Sequence, residues 1–299
     1  VPAGITVDGV DYSVTSIGGY CFYEYSGLTK IFLPETLTSI GNNAFSYCSG
    51  LTDIKLPETL TSIGNYAFYY CSGLTDIKMS AGLTSIGNYA FYYCSGLTNI
   101  KFPAGLTSIG DYAFSDCTNL SYLVMRSSRP TTGSSVFADC TNLKTIYVPV
   151  GKSSNYKYSP WNSSSYTIVE GELVKSGGLY YVIDSAKKTA SVTFSPDGTK
   201  YSGSITVPSS FSYEGKNYLV KAIGANAFAS CRGLTSMSLP EGLTSIGSSA
   251  FSDCSGLKSI SLPESLTSIG SKSFYQSGLT SVSIPEGVTS IGDYTFNGC

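Results

Sequence analysis

The sequence predicts a β-rich right-handed solenoid, built as two arrays of a 23-residue repeat that are joined by a small β-stranded segment. The first observation is the repeat itself: residues 60–82 read LTSIGNYAFYYCSGLTDIKMSAG, and the units on either side are nearly identical. The second is that each unit carries apolar residues that it cannot bury alone, whereas stacked units bury them rung on rung. The third is that residues 207–228 align without gaps on residues 1–22, so a short β lead-in precedes repeats twice.

Each unit contains three predicted segments. The segment L-x-x-I-x-L alternates apolar and polar residues, which predicts a strand with one buried face, and the proline after it ends the strand. The segment L-T-S-I is a second short extended piece. The glycine that follows it is expected to turn the chain with a positive φ, at Gly41, Gly64, Gly87 and Gly110. The segment A-F-x-x-C is too short for a stable helix and is predicted to be a single helical turn held by stacking.

The repeat register also predicts the domain boundaries. A truncated β lead-in is expected at residues 1–13, a first array at 14–151, a cap or linker with a second β lead-in at 152–219, and a second array at 220–299. Within the third segment, the lone Trp161 is expected to cover the last rung of the first array rather than bind a ligand.

Composition excludes several classes of function. The chain has no histidine, which removes Ser-His-Asp and Cys-His nucleophile pairs and histidine-based zinc sites. Its formal net charge is −2, so there is no basic excess for nucleic acid, and no stretch of about 18 apolar residues predicts membrane insertion. The acidic residues lie in ladders rather than as a pair facing across a cleft, as a glycosidase would need. We expect no catalytic residue, no metal and no cofactor.

Eight of the nine cysteines occupy the same repeat position, at Cys48, Cys71, Cys94, Cys117, Cys140, Cys231, Cys254 and Cys299. A spacing of 23 residues is not a metal-binding motif. Neighbouring rungs would bring their Cα atoms close enough for a disulfide, but side chains in a parallel ladder point the same way. Buried free thiols that act as small apolar residues are therefore the favoured interpretation.

The outward positions of the predicted strands in the first array form one candidate ligand face, with Phe32, Asp53, Lys55, Asp76, Lys78, Lys101, Tyr122 and Tyr147. The stacked lysines and aspartates can instead neutralise each other across the sheet, and solvated pairing is the favoured alternative. The same positions of the second array carry serines, which offer little affinity.

A second candidate is a tyrosine stripe beside the buried phenylalanines, at Tyr66, Tyr89 and Tyr112. Exposed tyrosines supply rigid amphipathic contact area, as at protein interfaces and sugar-stacking sites. Some of these rings must also pack from rung to rung. Both interpretations stay open at this point.

The pattern L-x-x-I-G-x-x-A-F-x-x-C-x-x-L-x-x-I-x-L-P resembles the BspA-type, or Treponema-type, leucine-rich repeat. The resemblance implies that the leucine-rich repeat arrays form a curved solenoid, which is found often in surface or secreted proteins of bacteria of the gut and mouth. Members have been linked to adhesion, and the family has no catalytic residues to transfer. This chain departs from the pattern at Cys21, which replaces the alanine, at Tyr25, which replaces the cysteine, and in the insertion at 152–219.

Two functions follow as expectations. The first is a non-enzymatic recognition or adhesion protein, extracellular or at the bacterial cell surface, that binds a host or microbial macromolecule through the first array. Its partner would be an extracellular protein or glycan. The alternative is a structural spacer that presents another domain. Exposed, non-repeating chemistry on the first array favours the former, and the serine face of the second array favours the latter.

Overall fold

The computed structural model describes residues 1–156, 160–161, 166–196 and 198–299. It divides into two compact units, Val1–Glu170 and Gly171–Cys299, which we call unit 1 and unit 2. The predicted class is confirmed, because the repeats of each unit form a β-solenoid with almost no helix. The predicted domain boundaries stay predictions, and part of the predicted cap, residues 157–159 and 162–165, lies outside the described residues. Over the described residues, no helix has the length and apolarity needed to cross a bilayer.

Unit 1 contains short strands and one 3-10 helix. The strands are β1 (Gly4–Val7), β2 (Val10–Ser13), β3 (Ser16–Ile17), β4 (Lys30–Phe32), β5 (Ser39–Ile40), β6 (Asp53–Lys55), β7 (Ser62–Ile63), β8 (Ser85–Ile86), β9 (Asn99–Phe102), β10 (Ser108–Ile109), β11 (Tyr122–Met125), β12 (Thr131–Thr132), β13 (Thr145–Val148) and β14 (Thr167–Glu170). The 3-10 helix is Ser153–Tyr156.

The strands of unit 1 form an antiparallel hairpin and three parallel ladders. The hairpin is β1–β2. The L-T-S-I segments form a six-stranded ladder in the order β12-β10-β8-β7-β5-β3, and the L-x-x-I-x-L segments form the ladders β14-β13-β11-β9 and β4-β6. Residues 75–79 form no strand, so the second ladder type is interrupted there. The two-residue L-T-S-I strands are therefore the more continuous element, although the sequence pattern gives the other segment the stronger strand signal.

The core of unit 1 is a set of vertical columns. The Leu, Ile, Ala, Phe and Cys positions are almost completely buried in each full rung. Phenylalanine rings stack face to face from Phe22 to Phe137, with centroids 5.0–6.0 Å apart. At the end of the stack, the buried Trp161 lies 5.3 Å from Phe137 and 5.3 Å from Tyr156. This contact agrees with the predicted covering role of the tryptophan.

The repeat glycine has a different role from the one predicted. None of Gly41, Gly64, Gly87 and Gly110 has a positive φ. A Cβ atom on Gly64 would lie 2.8 Å from the backbone nitrogen of Asn42 and 2.8 Å from the carbonyl carbon of Gly41. Glycine is needed because the backbone of the preceding rung passes too close for any side chain.

Unit 2 repeats this arrangement after an antiparallel β-meander. Its strands are β15 (Glu172–Ser176), β16 (Leu179–Asp184), β17 (Thr189–Thr193), β18 (Gly203–Thr206), β19 (Ser210–Tyr213), β20 (Lys216–Ile223), β21 (Leu234–Ser238), β22 (Ser245–Ile246), β23 (Ser268–Ile269) and β24 (Ser290–Ile291). The order is β15-β16-β17-β20-β22-β23-β24, with β19 antiparallel to β20 and β18 paired with β21. This unit has a phenylalanine stack of its own, from Phe228 to Phe296.

Candidate recognition surface

The segment that contains A-F-x-x-C is a pair of tight turns rather than the predicted helical turn. In the rung of Phe68, alternate amides bond locally and to the next rung: Cys71 N–H donates to the Phe68 carbonyl at 3.2 Å, and Phe68 N–H donates to the Ala90 carbonyl at 2.7 Å. Two residues of this rung have a positive φ, Tyr66 at 57° and Tyr70 at 58°. A helical turn is excluded because its residues would keep negative φ values.

The same two left-handed positions recur in nearly every rung. In unit 1 seven of the twelve carry tyrosine, and the other five carry Glu24, Asn43, Asp116, Ser135 and Asp139. Tyrosines in this conformation in unit 1 are Tyr20, Tyr47, Tyr66, Tyr70, Tyr89, Tyr93 and Tyr112. In unit 2 the equivalent residues are mostly small or polar: Asn226, Ser230, Ser249, Asp253, Lys272, Gln276 and Tyr294. The left-handed region favours Asn and Asp, whereas a bulky residue there is a real outlier. Unit 1 therefore carries tyrosines where the backbone favours another residue type.

The side chains of this segment form one connected aromatic area, which we call the tyrosine surface. Its members are Tyr20, Tyr23, Tyr47, Tyr66, Tyr69, Tyr70, Tyr89, Tyr92, Tyr93 and Tyr112. The rings of Tyr66 and Tyr89 stack with centroids 4.9 Å apart and planes at 3°, and those of Tyr70 and Tyr93 stack at 4.5 Å and 14°. Contacts between Tyr66 and Tyr69 and between Tyr69 and Tyr70 join the columns. The predicted stripe of Tyr66, Tyr89 and Tyr112 is thus one column of a wider surface.

Stacking determines which parts of these rings reach solvent. An inner ring of a column, such as Tyr70 or Tyr89, has a stacked ring on both faces, so its edge is the part that can reach solvent. The end rings Tyr93 and Tyr112 stack on one neighbour only. Tyr47 and Tyr93 remain 38% and 40% exposed, and Tyr66, Tyr69, Tyr70 are half-buried. Desolvation raises the pKa of Tyr69 to about 12, and that of Tyr92 to about 12 with a further contribution from its hydrogen bond to Asp116. At neutral pH the surface presents neutral hydroxyl groups that can both donate and accept hydrogen bonds.

The lysines of the predicted strand face are paired with partners that sequence reasoning did not identify. Lys78 Nζ lies 2.7 Å from Glu58 Oε1, and Lys55 Nζ lies 3.4 Å from Glu35 Oε1. The Glu58 carboxylate also accepts the Ala81 N–H at 3.1 Å, and the Lys78 ammonium is the main cause of its lowered pKa. Glu35 and Glu58, which each follow a proline, therefore bridge neighbouring rungs. Asp53 pairs instead with Lys30, which is not one of the stacked lysines of the predicted face: Lys30 Nζ lies 2.5 Å from Asp53 Oδ2.

The rest of the strand face is not a uniform outer surface. Phe32 is 73% exposed and Asp76 is exposed, whereas Lys101 and Tyr122 are half-buried. Tyr147 was expected on the outside, and this expectation is wrong because its side chain has no exposed area. All four residues of β13 are buried, and the Tyr122 ring packs edge-on against Tyr147 at 6.2 Å. Alternation predicts an outer face only where one side of a sheet meets water, and β13 is covered on both sides.

The cysteine column has a structural role that its spacing did not reveal. All nine cysteines are free thiols, and seven of those at the repeat position are buried, as predicted; Cys299 is exposed. The Cys94 thiol donates to the Phe68 carbonyl at 3.1 Å, and the same bond to the preceding rung recurs along the column. Burial raises the pKa of Cys94 and Cys117 well above the usual thiol range. Among the described residues, no group of His, Cys, Asp or Glu is placed to hold a metal ion.

Sequence reasoning also missed an asparagine ladder. The Asn65 N–H donates to Asn42 Oδ1, and the Asn88 N–H donates to Asn65 Oδ1, both at 2.8 Å. Each side chain thereby caps the backbone of the next rung. The regular recurrence of Asn after the repeat glycine was the available signal.

The family of the chain follows from comparison with known proteins. The model of the BspA type leucine rich repeat region, which describes six copies of the repeat, matches residues 9–94, 61–169 and 204–299. These ranges together cover more than half of the sequence.

The chain belongs to the BspA-type leucine-rich repeat family. This finding confirms the resemblance seen in the sequence, and none of the curated proteins compared with the chain matches it.

Solved structures of bacterial leucine-rich repeat proteins are also similar. A leucine rich cell surface protein of Faecalibacterium prausnitzii is 25% identical, with 100% of this chain and 84% of that one covered and a TM-score of 0.41. The pneumococcal vaccine antigen PcpA is 26% identical, with 100% and 68% covered and a TM-score of 0.43. A leucine-rich repeat protein of Bacteroides ovatus is 23% identical, with 100% and 84% covered and a TM-score of 0.37. With TM-scores below 0.5, these likenesses carry no conclusion about this BspA-type chain.

Proposed function

We propose that this BspA-type chain is a non-enzymatic recognition protein, secreted or at a bacterial surface, that binds an extracellular protein through the tyrosine surface of unit 1. The observation that carries the proposal is the placement of tyrosine in left-handed backbone positions. Asn226, Ser249 and Asp253 in unit 2 hold the same conformation, so the fold does not require an aromatic residue there. Residues that stand where the backbone disfavours them are most simply explained by what their side chains contact.

The exposed chemistry of the surface favours a protein over a stacked sugar. Tyrosine is enriched at protein interfaces because a rigid ring gives contact area and its hydroxyl group gives a hydrogen bond at low entropic cost. A sugar that stacks needs an open ring face, whereas the inner rings of the columns have both faces occupied: Tyr70 has Tyr47 at 5.3 Å on one face and Tyr93 at 4.5 Å on the other. Ring edges and hydroxyl groups in rows instead suit the polar and apolar groups of a protein surface.

The test is label-free binding of the full chain to a panel of matrix proteins, mucins and glycans. The variant carries Tyr66→Asn, Tyr70→Asn, Tyr89→Asn and Tyr93→Asn, because asparagine tolerates the left-handed conformation and should leave the rungs folded. We expect saturable binding to a protein by the native chain and a loss of at least about 100-fold in affinity for the variant.

The matched control changes the strand face through Lys55→Ser, Lys78→Ser and Lys101→Ser, and we expect it to bind like the native chain. A loss of binding only in this control would place the site on the strand face. Binding to glycans alone would contradict the choice of partner class. No binding by the folded native chain would favour a structural spacer.

A further inference from the structure

The β1–β2 hairpin at the start of unit 1 displays an apolar face that nothing in unit 1 covers. Its cross-strand pairs Ile5–Tyr12 and Val7–Val10 point to one side, and these four side chains are 48–53% exposed. The polar residues lie on the other side, where the Thr6 hydroxyl donates to Asp11 Oδ1 at 2.6 Å. A two-stranded hairpin is marginal by itself and needs packing against a further element.

Unit 2 contains the same hairpin, in the same register. The pair Phe211–Tyr218 of β19–β20 corresponds to Ile5–Tyr12 with a constant offset in sequence. Both hairpins turn through two left-handed residues, Asp8 and Gly9 in unit 1 and Glu214 and Gly215 in unit 2.

The two hairpins also join their arrays through equivalent bonds. The Val1 ammonium donates to the Phe32 carbonyl at 3.0 Å, and the Val207 N–H donates to the Ser238 carbonyl at 3.0 Å. Phe32 and Ser238 are separated by the same offset as Val1 and Val207. The two elements are therefore the same structural part, present twice.

Only the hairpin of unit 2 is covered. Phe211 and Tyr218 are 8% and 2% exposed, against 52% and 53% for Ile5 and Tyr12. The cover is the meander β15–β17: the Tyr181 ring lies 4.3 Å from the Phe211 ring, and Tyr213 Oη donates to Glu172 Oε1 at 3.1 Å.

The meander also supplies an apolar face. The strand β16 buries alternate residues, Leu179, Tyr181 and Ile183, whose side chains share one side of the sheet. Unit 2 thus shows directly what kind of surface this hairpin fits.

We infer that the apolar face of the β1–β2 hairpin is a docking surface for a three-stranded β-meander of the β15–β17 kind, supplied by another module of this family. The inference does not depend on the tyrosine surface. The contacts would reproduce those of unit 2, with Ile5 and Tyr12 in the places of Phe211 and Tyr218. The smaller Ile5 leaves room that a partner meander would fill with its own aromatic residue.

The test grafts residues 171–206 directly before Val1, which recreates the order found in front of Val207. Hydrogen exchange is then measured on the amides of the hairpin in the full chain. We expect the amides of Val7 to Tyr12 to exchange at least about tenfold more slowly than in the native chain, and to approach the rate of their unit 2 equivalents. The unit 2 hairpin in the same molecule is an internal reference.

The matched control carries Tyr181→Asp in the grafted copy alone and should return the hairpin amides to their native exchange rate. Three results would overturn the inference. One is a protected meander beside an unprotected hairpin, and another is a grafted meander that stays unprotected, since the hairpin would then have failed to bind it. The third is a native chain that dimerises hairpin to hairpin and loses the dimer on Ile5→Asp with Tyr12→Asp, because the occupant would then be a second hairpin rather than a meander.

Discussion

At the scale of single residues, the left-handed tyrosines are not needed for folding, and their contribution is to the chemistry of the surface. Tyr66 and Tyr70 sit at φ values near 57°, where their neighbours Ala67 and Phe68 are completely buried. Because the burial of Ala67 and Phe68 stabilises the turn, the turn does not depend on the tyrosine side chains. Their side chains contribute mainly stacking with each other, at about 0.5–1.5 kcal/mol for an aromatic pair.

The substitution Tyr70→Asn tests whether the turn depends on its tyrosines. The lost stacking on Tyr47 and Tyr93 is offset by the better fit of asparagine to the left-handed region, so we expect the free energy of unfolding to change by less than about 1.5 kcal/mol. Phe68→Ala is the comparison, with an expected loss of about 3–5 kcal/mol because it opens the core. Denaturant titration measures both. Equal losses would mean that the tyrosines are part of the core after all.

The raised pKa values of Tyr69 and Tyr92 predict a dependence of stability on alkaline pH. In the unfolded chain these phenols ionise near pH 10, whereas in the folded chain they stay protonated to about 12. Between these values the unfolded state binds fewer protons, so stability is fully present below about pH 10 and falls as pH rises toward 12. A Tyr69→Phe, Tyr92→Phe variant should lose stability less steeply over this range in denaturant titrations. Parallel curves would contradict the cause given for the shifts.

At the scale of the rung, the period predicted which residues are buried but not how the backbone turns. The Leu, Ile, Ala, Phe and Cys columns are buried where the repeat places them, because stacking gives every rung the same neighbours. The predicted helical turn and the predicted positive φ of Gly64 are both wrong. The observed backbone depends instead on contacts with the adjacent rung. The tight turns are held by amide hydrogen bonds to that rung, and Gly64 lies against the backbone of Gly41. One repeat considered alone contains neither contact.

Gly64→Ala tests the close approach between rungs. The new Cβ atom would meet two backbone atoms at 2.8 Å and Asn42 Oδ1 at 2.7 Å, so we expect a loss of about 1–3 kcal/mol from overpacking. Gly18→Ala is the matched control, because Gly18 occupies the same repeat position and has nothing within 4 Å of its Cβ direction. Thermal or denaturant unfolding compares the two. If Gly64→Ala left the free energy of unfolding unchanged, neighbouring rungs would have to separate at little cost.

At the scale of the whole molecule, the repeat predicted the solenoid class and the family but only part of the candidate site. The stripe of Tyr66, Tyr89 and Tyr112 could be predicted, since it follows the period. The contacts that join this stripe to Tyr69 and Tyr70 could not be predicted, because they depend on side-chain directions set by the tight turns. The burial of Tyr147 could not be predicted either, since it occurs where the repeat ends and alternation no longer applies.

The most direct test of the central claim, that unit 1 recognises its partner through the tyrosine surface, is chemical footprinting of the complex. Exposed tyrosines of the full chain are iodinated with and without the protein partner found in the binding panel, and each site is quantified by mass spectrometry. We predict protection of Tyr47 and Tyr93 on binding, while the exposed Tyr12 of the β1–β2 hairpin reacts as in the free chain. Unchanged reactivity of Tyr47 and Tyr93 in a saturated complex would contradict the account.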